Sequence, residues 1–503
     1  MAEARKSMVI VGGGSAGWMT AIYLNRRFNL AGRHMDITVI ESPDIGIIGV
    51  GEATVHSVRF FFAQMGLDEA ELLKETNGAF KLGILFRNWM KPVDGRPHEY
   101  FHPFEHQPLG RTLDISSQWL TSERAGAERY DEGVSLSAPL MKARHGPKTM
   151  TSRAYQGVVP YGYHIDATLM ARFLRRKAIE AGVRHVEATV ADVDCDGATI
   201  KAVVTNDGDR FEGDIFVDCT GFRGLLIDRL KADNWESFED ALPCNRAVAL
   251  QRELAPGEAP KPYTTATALT NGWAWQIDLV NRQGTGYVYD GNRLTPEEAE
   301  AELRAFLGPE AKVLKCTHLD MKVGCRREFW VGNCIATGLA GGFIEPLEST
   351  GLHLINLAAG LMGTHLSGAP DQSVRDSFNR LMRGYYQDLK QFIVLHYCLT
   401  DRDDSDFWRA APATVDHTPW LKAQLEAWRR KICEFSDLSG SFSTIFTDEN
   451  YRYILYGMDH RPDLWTRADP AETEAIFADL ARMGDMAVKN TAPHGDYLRQ
   501  LHM

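Results

Sequence analysis

A glycine-rich turn close to the N-terminus constrains the fold of this chain more than any other segment. It follows a short apolar strand predicted over 8–11 and precedes a helical run that begins near Trp18. The turn fills the GxGxxG pattern with Gly12, Gly14 and Gly17, which enclose Ser15 and Ala16. Such glycines permit a tight turn, the approach of a pyrophosphate and close packing of helix on strand. A second strand over 36–40 ends at Glu41, an acid that can accept hydrogen bonds from ribose hydroxyls. The unit predicts an α/β domain that binds a dinucleotide.

Two later segments indicate which dinucleotide is bound. Residues 216–221 form a strand that runs into a turn of small residues, and residues 331–342 repeat this pattern around Gly338 and Leu339. They resemble the second and third cofactor motifs of flavoproteins, although Asn333 stands where many flavoproteins have aspartate. Each segment alone could be an ordinary strand-to-loop turn. Their order after the glycine-rich turn favours FAD over NAD.

The segment 341–351, GGFIEPLESTG, places two carboxylates and three capping-type residues before an apolar run. The run over 352–360 predicts a buried helix with Ser349 or Thr350 as its N-cap. The free N–H groups at a helix start can hold a small anion, and Glu348 stands beside them, where a carboxylate could transfer a proton. A capped helix whose acid interacts with the helix dipole is the alternative interpretation.

Lys81 is the single charge in the apolar run 78–86. The alternation of side chains along a strand places it opposite the face formed by Phe80, Leu82, Ile84 and Phe86. The pattern is also typical of an edge-strand lysine that extends to solvent. A lysine in an apolar pocket would need a function instead, because burying an ammonium group is costly.

The composition excludes several classes of protein. The chain has 503 residues, of which 44% are hydrophobic, and its net charge of −12 without a basic run argues against nucleic acid as a partner. No apolar run reaches about 18 residues, so we expect no membrane span. The eight cysteines form no CxxC pair, which predicts reduced thiols, a cytoplasmic location and no zinc site. The acids Asp401, Asp403 and Asp404 lack the glycine and distal glutamate of a calcium loop, so we expect no metal.

Together these motifs resemble the flavin-dependent halogenases of the tryptophan-halogenase family, from Met8 to about Tyr456. The resemblance implies an α/β fold in which an FAD-binding Rossmann-like domain, of the aromatic-hydroxylase type, carries a sheet-containing substrate-side insert and a helical C-terminal region. The expected boundaries are 1–90, 155–235 and 320–365 for the discontinuous FAD-binding domain, 91–154 and 236–319 for the insert, and 366–503 for the helical region.

The resemblance also assigns roles to individual residues. Lys81 and Glu348 match the catalytic lysine and glutamate of the family, and Thr350 and Gly351 match its halide site. The flexible strap that lies along the flavin corresponds to Gly49, Val50, Gly51, Glu52 and Ala53. His56 stands two places after the strap's Thr54, where the family usually has proline.

The substrate side carries both matches and departures. Trp273 and Trp275 fit the family's WxWxIP motif, which separates substrate from flavin, but Asp278 replaces the proline; two core tryptophans on one strand face are the alternative. His102 and Phe104 match residues that flank the bound ring, although such a histidine could also lie in a solvent-facing turn. The family's tryptophan enzymes grip the amino-acid backbone with adjacent tyrosines, whereas this chain has Tyr451 followed by Arg452. We expect Arg452 to lie at the surface.

The function implied is that of an FADH2-dependent halogenase. It would use O2 and chloride or bromide to halogenate an electron-rich aromatic, with indole as the expected class, through hypohalous acid activated at Lys81. A separate flavin reductase would supply the reduced FAD, since the sequence shows no second nucleotide-binding unit, and the chain could form a homodimer. A flavin-dependent aromatic monooxygenase is the first alternative, and a non-catalytic FAD-binding protein is the second.

Overall fold

The computed structural model describes residues 5–46, 51–105, 114–438 and 445–502. A six-stranded sheet forms its cofactor-side layer, parallel except for the pair at one edge. In spatial order its strands are Trp330–Val331, Cys334–Ala336, Ile215–Asp218, Lys6–Val11, Met35–Glu41 and Arg184–Glu187. The central strand is apolar from Met8 onward because a parallel sheet is covered on both faces. Every strand predicted from the cofactor motifs lies in this sheet.

The glycine-rich turn joins this sheet to the helix Ser15–Asn29. Gly12 has φ 115°, and a Cβ there would lie 2.3 Å from the carbonyl oxygen of Cys219, so no other residue fits. Gly14 is the N-cap, provides no side-chain cap, and has no atom within 4 Å of where its Cβ would stand. The first turn of the helix therefore opens onto free space at the carboxyl ends of the strands, where dinucleotides bind in such folds.

A seven-stranded, mostly antiparallel sheet forms the opposite layer. In spatial order its strands are Val313–Asp320, Arg246–Glu253, Arg282–Tyr289, Gly272–Asp278, Thr264–Leu269, Gly83–Arg87 and Glu99–Pro103. Gly83–Arg87 runs parallel to Thr264–Leu269, so part of the segment that we assign to the FAD-binding domain joins strands of the insert. The domain boundaries themselves stay predictions.

The described residues also form three smaller sheets of three strands each. Their strands, in spatial order, are Glu52–Ala53, Gly162–Ile165 and Ala79–Lys81; Trp235–Ser237, Gly324–Arg326 and Gly342–Phe343; and Arg210–Glu212, Thr199–Thr205 and Val190–Asp196. The first of these sheets ends at Lys81, and the chain then passes through Leu82 into the large sheet. The continuous alternation predicted over 78–86 is therefore interrupted, because two short strands of different sheets share this run.

Helices cover both layers and form most of the C-terminal region, as the sequence predicts. The remaining α-helices are Ser57–Gln64, Glu69–Glu75, Ile115–Leu120, Arg124–Ala127, Tyr130–Val134, Ser137–Ala143, Ala167–Glu180, Ile227–Leu230, Pro296–Leu307, Gly351–His365, Gln372–Cys398, Asp406–Ala410, Pro419–Ala427, Phe435–Leu438, Asp448–Gly457, Pro470–Asn490 and His494–His502. Short 3-10 turns span Gly221–Arg223, Gly338–Ala340, Pro346–Glu348 and Ala411–His417. Among the described helices, none is long and apolar enough to cross a membrane.

Two long helices bring the layers together. Gly351–His365 packs against Ser15–Asn29, so the segment 341–351 lies next to the glycine-rich turn. Gln372–Cys398 is buried along almost all of its C-terminal half, and its last turns reach the apolar core between the two large sheets. The elements that carry the predicted cofactor and catalytic residues therefore converge on one region.

Substitutions in the glycine-rich turn test this description. Gly12→Ala should lower the unfolding free energy of the FAD-free protein by at least about 2 kcal/mol, because the new Cβ meets a backbone carbonyl and the residue keeps a positive φ. Gly14→Ala is the matched control, since φ is −78° and the space is empty, and it should leave stability unchanged. Chemical unfolding of both variants measures the difference; equal stabilities would contradict the assigned geometry.

Candidate active site

Lys81 is buried at the end of the short strand Ala79–Lys81. Its side chain has 0% exposure, which excludes the edge-strand lysine that extends to solvent. Its Nζ donates a hydrogen bond of 2.8 Å to Ser349 Oγ and lies 4.8 Å from the centre of the Phe104 ring. Burial lowers the pKa of Lys81 to about 7, although the charge of Glu348 opposes this shift. The amine can therefore exchange between charged and neutral forms near neutral pH.

Glu348 lies next to Ser349, at the end of the 3-10 turn Pro346–Glu348. It is fully buried, and both carboxylate oxygens lie 3.0 Å from His102 Nδ1, while His396 Nε2 lies 2.9 Å from Oε1. Burial alone would raise the pKa of Glu348, but the two imidazoles lower it to about 2. Glu348 is consequently a carboxylate at any pH at which the protein is expected to work.

His102 lies on the edge strand Glu99–Pro103 and points into the protein, with 1% exposure. The solvent-facing turn considered from the sequence is therefore wrong. The other ring nitrogen, Nε2, lies 3.0 Å from Asn450 Nδ2. Phe104 follows this strand, and the His56 ring lies 5.7 Å from the Phe104 ring. His56, which stands where the family usually has proline, thus contacts Phe104, a residue predicted to flank the substrate ring.

His396 is the functional candidate that the sequence analysis missed. It lies in the last turns of the helix Gln372–Cys398, fully buried, and it contacts Glu348 directly. The signal was the same as for Lys81: a titratable residue in the apolar run 392–399. No motif in the sequence marks this histidine. The periodicity of a helical segment shows which of its faces is buried, but not which distant strand or turn packs against that face.

Thr350 and Gly351 lie at the start of the helix Gly351–His365, as the halide site requires. Thr350 is the N-cap residue, but its side chain makes no capping bond, and Ser349 is occupied by Lys81 instead. The predicted N-cap position is therefore confirmed, although the Thr350 side chain forms no capping hydrogen bond. A Cβ at Gly351 would meet nothing within 4 Å. The uncapped N–H groups beside this open space suit a small anion.

Trp273 and Trp275 lie on one face of the strand Gly272–Asp278, both buried, with ring centres 6.2 Å apart. Trp273 Nε1 donates to Glu345 Oε2 at 2.9 Å, and Tyr397 also donates to this oxygen. Burial raises the pKa of Glu345 to about 7. Asp278, which replaces the family's proline, accepts hydrogen bonds from Gln283 and from the Lys261 backbone, so it fixes the end of this strand.

The residues predicted to hold FAD fit that cofactor. Glu41 ends its strand beside Gly13, and Gly338 approaches Ala16 so closely that a Cβ would lie 2.6 Å from it. Gly51 has φ 90°, and Glu52 lies in the strand that follows, where burial raises its pKa to about 7. Gly49 and Val50 lie outside the described residues. The helix start at Gly14 is open, and the glycines at 12, 14, 51 and 338 leave the space around it free of large side chains. A pyrophosphate and a flat ring system can enter this space.

Asn333 does not contribute to the cofactor site. Its side-chain amide exchanges hydrogen bonds of 2.9 Å with the backbone N–H and carbonyl of Ile200. This side chain therefore fastens the turn between Trp330–Val331 and Cys334–Ala336 to the neighbouring sheet, which gives the asparagine in place of the usual aspartate a structural role.

Tyr451 and Arg452 lie deeper than the sequence suggests. Tyr451 has 0% exposure and packs against Phe392, whose ring also contacts His102. Arg452 is buried rather than at the surface: it pairs with Asp448 and Asp114 and donates to the Cys433 carbonyl. The expected surface position is wrong because two carboxylates and a carbonyl satisfy the guanidinium inside the protein.

The acids considered for a metal site are engaged elsewhere. Asp401 and Asp403 accept hydrogen bonds from Lys91, and Asp404 pairs with Arg402. In the described part of the chain, the group with converging donor atoms is Glu300, Cys316 and His318. These three hydrogen-bond to one another at the edge strand Val313–Asp320, six strands away from His102 in the same sheet.

Comparisons with known proteins agree with this geometry. The chain matches the tryptophan halogenase family over residues 7–473. It is 38% identical to 7-chloro-L-tryptophan 6-halogenase KtzR of Kutzneria sp. over 84% of this chain and 85% of KtzR. It is 35% identical to tryptophan 6-halogenase SttH of Streptomyces toxytricini over 94% of each. The solved structure of Tar14, a tryptophan C-6 flavin-dependent halogenase from taromycin biosynthesis, aligns with a TM-score of 0.90 at 34% identity, over 99% of this chain and 100% of Tar14. The chain therefore belongs to the tryptophan halogenase family, which confirms the flavin-dependent halogenase and the α/β fold predicted from the sequence.

Proposed function

We propose that this protein uses FADH2, O2 and chloride or bromide to halogenate an electron-rich aromatic of the indole class. The observation that carries the proposal is the buried position of Lys81. Its Nζ donates a hydrogen bond to Ser349 Oγ and lies close to the Phe104 ring, and Ser349 directly follows the ionised Glu348. A cation or amine in such a place has no role in folding that an apolar residue could not fill better. It does suit the presentation of an electrophilic halogen to an aromatic ring.

Lys81 would activate hypohalous acid in one of two ways. As an ammonium it donates a hydrogen bond to the hydroxyl oxygen, which makes the halogen more electrophilic. As an amine its nitrogen attacks the halogen, so that an N–halogen bond forms, the O–halogen bond breaks, and the hydroxide takes up a proton and leaves as water. A pKa of about 7 keeps both forms accessible.

Glu348 would act when the ring carbon has accepted the halogen. The ring then carries a positive charge, which a fixed carboxylate stabilises, and the carbon must lose its proton. The carboxylate oxygen takes this proton and the ring regains its aromaticity. A base with a pKa of about 2 is sufficient, because a protonated arene is a far stronger acid than a carboxylic acid.

The predicted FAD site explains the first half of the reaction. Gly12, Gly14 and Gly17 would hold the pyrophosphate and Glu41 the ribose, and the strap residues Gly51 to Ala53 would cover the ring system. When bound in its reduced form, FAD supplies the two electrons that let O2 oxidise halide to hypohalous acid. Thr350 and Gly351 would hold the halide at the helix start. We further propose that a separate reductase supplies FADH2; cytoplasmic location and homodimer formation stay predictions.

The two neighbouring tryptophans, Trp273 and Trp275, favour halogenation over aromatic hydroxylation. Trp273 and Trp275 stand together on one buried strand face, and the hydrogen bond from Trp273 to Glu345 fixes the ring. We propose that they separate the substrate from the flavin. Mass spectrometry of an indole panel, incubated with enzyme, FAD, a reductase, O2 and either halide, decides between the functions. Hydroxylated product without dependence on halide would identify a monooxygenase, and no product with either halide would identify a non-catalytic flavoprotein.

Lys81→Ala should abolish halogenated product while FAD binding and flavin reoxidation persist. The lysine acts after halide oxidation, and losing a group that activates the electrophile costs several kcal/mol of barrier. Lys91→Ala, which removes a half-exposed lysine paired with Asp403, is the matched control and should retain full activity. Product formation above a few per cent of wild type in the Lys81 variant would contradict the assignment.

Glu348→Gln should slow product formation by roughly 10²-fold or more, within the range of general base catalysis. Glutamine keeps the shape of the side chain but can neither stabilise the ring charge nor accept the proton. Single-turnover rates, with FAD affinity and Tm as checks on folding, measure the effect. An unaltered rate would reduce Glu348 to an acid that interacts with the helix dipole.

Free tryptophan should be a poorer substrate than indole or a larger indole-bearing molecule. Arg452 is paired with Asp448 and Asp114 and Tyr451 is fully buried, so we expect neither to bind the ammonium or carboxylate of an amino acid. An unmatched buried charge costs several kcal/mol, which indole avoids. The test is kcat/KM for L-tryptophan and indole under identical halide and reductase conditions. A tenfold preference for tryptophan would show that other residues bind these charges.

A further inference from the structure

Hydrogen-bond partners indicate where the protons lie on three buried histidines, His102, His396 and His494. His494 gives the reference case: its Nδ1 lies 2.9 Å from the Pro260 carbonyl oxygen, so it must donate, and its Nε2 accepts the Phe80 N–H at 3.1 Å. One nitrogen donates and the other accepts, so the ring carries one proton and is neutral. Burial accordingly lowers the pKa of His494 to about 4.

His102 is assigned by a longer chain of partners. In the capping box of the helix Asp448–Gly457, Asn450 Oδ1 accepts from the Thr447 N–H at 3.0 Å and from its hydroxyl at 3.1 Å. This fixes the orientation of the amide, so the NH2 group of Asn450 faces His102 Nε2 and donates to it at 3.0 Å. The proton of His102 must then be on Nδ1, where it donates to Glu348. His102 is therefore neutral, and its tautomer is set by a helix cap.

His396 differs from both, because each of its nitrogens faces an acceptor. Nδ1 lies 2.9 Å from the Phe392 carbonyl oxygen, one turn back along the helix, and Nε2 lies 2.9 Å from Glu348 Oε1. We infer that His396 is a positioning residue, an imidazolium with a proton on both nitrogens that keeps Glu348 ionised and oriented toward the substrate ring. The inference rests on the proposed role of Glu348 and deepens it.

The groups around His396 leave one competing arrangement. Its ring is packed among Phe86, Trp89 and Phe392, and the titratable groups near Glu348 are Lys81, His102 and Tyr100. The competitor is a neutral pair in which Glu348 carries the proton and donates it to Nε2. Both Glu348 oxygens, however, already accept the proton of His102, and Lys81 in its charged form also favours a carboxylate.

The charge on His396 has a consequence for catalysis. An ionised Glu348 can stabilise the cationic ring, whereas a protonated one can neither do this nor accept a proton. Without the imidazolium, the pKa of Glu348 would rise, since a neighbouring opposite charge lowers a carboxyl pKa by about one to three units. Activity would then be lost at a higher pH as the solution is made more acidic.

NMR of the imidazole nitrogens in histidine-labelled, FAD-loaded enzyme shows which of these nitrogens carry a proton, and it does not require turnover. The signals are assigned by their absence in His396→Gln, His102→Gln and His494→Gln. We expect both nitrogens of His396 to be protonated at pH 7.5, and one nitrogen of His102 and of His494. In Glu348→Gln the imidazolium has no anion, so His396 should show one protonated nitrogen. A neutral His396 in the wild-type enzyme would overturn the inference, even if halogenation itself is confirmed.

The pH dependence of kcat separates positioning from packing. In His396→Gln the acidic limb should move to higher pH by about one to three units relative to wild type. A purely structural role would lower kcat at every pH and leave the limb in place, which would contradict the inference. His494→Gln is the matched control. It removes another buried histidine whose Nδ1 faces a backbone carbonyl, that of Pro260, but which does not contact Glu348, so the acidic limb of its pH profile should not move.

Discussion

The cost of burying charge inside an apolar core governs the arrangement of this site. Lys81 and Glu348 are both fully buried, and either charge alone would be strongly destabilising there. They persist because Ser349 binds the ammonium group and two imidazoles bind the carboxylate. An apolar core would be more stable, so the retention of these groups requires another explanation. The catalytic roles that we propose would supply it, since a charge held in place by fixed partners needs no rearrangement when the reacting ring becomes positive.

Four separate parts of the chain must meet for this to happen, and the two large sheets determine where. Lys81 comes from the end of a short strand, His102 from the edge of the seven-stranded sheet, Glu348 from a 3-10 turn and His396 from a long helix. The tight packing of aromatic rings around them excludes water, which strengthens every electrostatic interaction in the site. A fault in any of these elements would leave a buried charge without its partner.

Much of the fold and part of the site could be predicted from the sequence. The predictable features depend on local sequence, whereas the others depend on contacts between distant segments. The strand, turn and helix around Gly12 are determined by local chemistry, because only glycine tolerates a φ of 115° against the Cys219 carbonyl. Lys81 was recognised because a charge interrupts an apolar run. Interactions between distant segments left no such pattern: the partners that bury Arg452, and the contact of His396 with Glu348, depend on packing between elements far apart in sequence. The interruption at Leu82 was missed for the same reason, since strand pairing with other sheets overrides local alternation.

Ser349 links Lys81 to the segment that carries Glu348 and the start of the next helix. It adopts the left-handed conformation with φ 60°, which costs a residue other than glycine about 1–2 kcal/mol. This turn points Glu348 toward the two histidines and lets Thr350 begin the next helix, while the serine hydroxyl accepts the hydrogen bond from Lys81. Glycine would adopt this backbone more readily but would leave the buried ammonium without its acceptor. Glu348, Ser349, Thr350 and Gly351 are thus four consecutive residues that hold the carboxylate, the acceptor for Lys81 and the helix start, so the proposed halide capture, halogen activation and proton removal would all take place around one short segment.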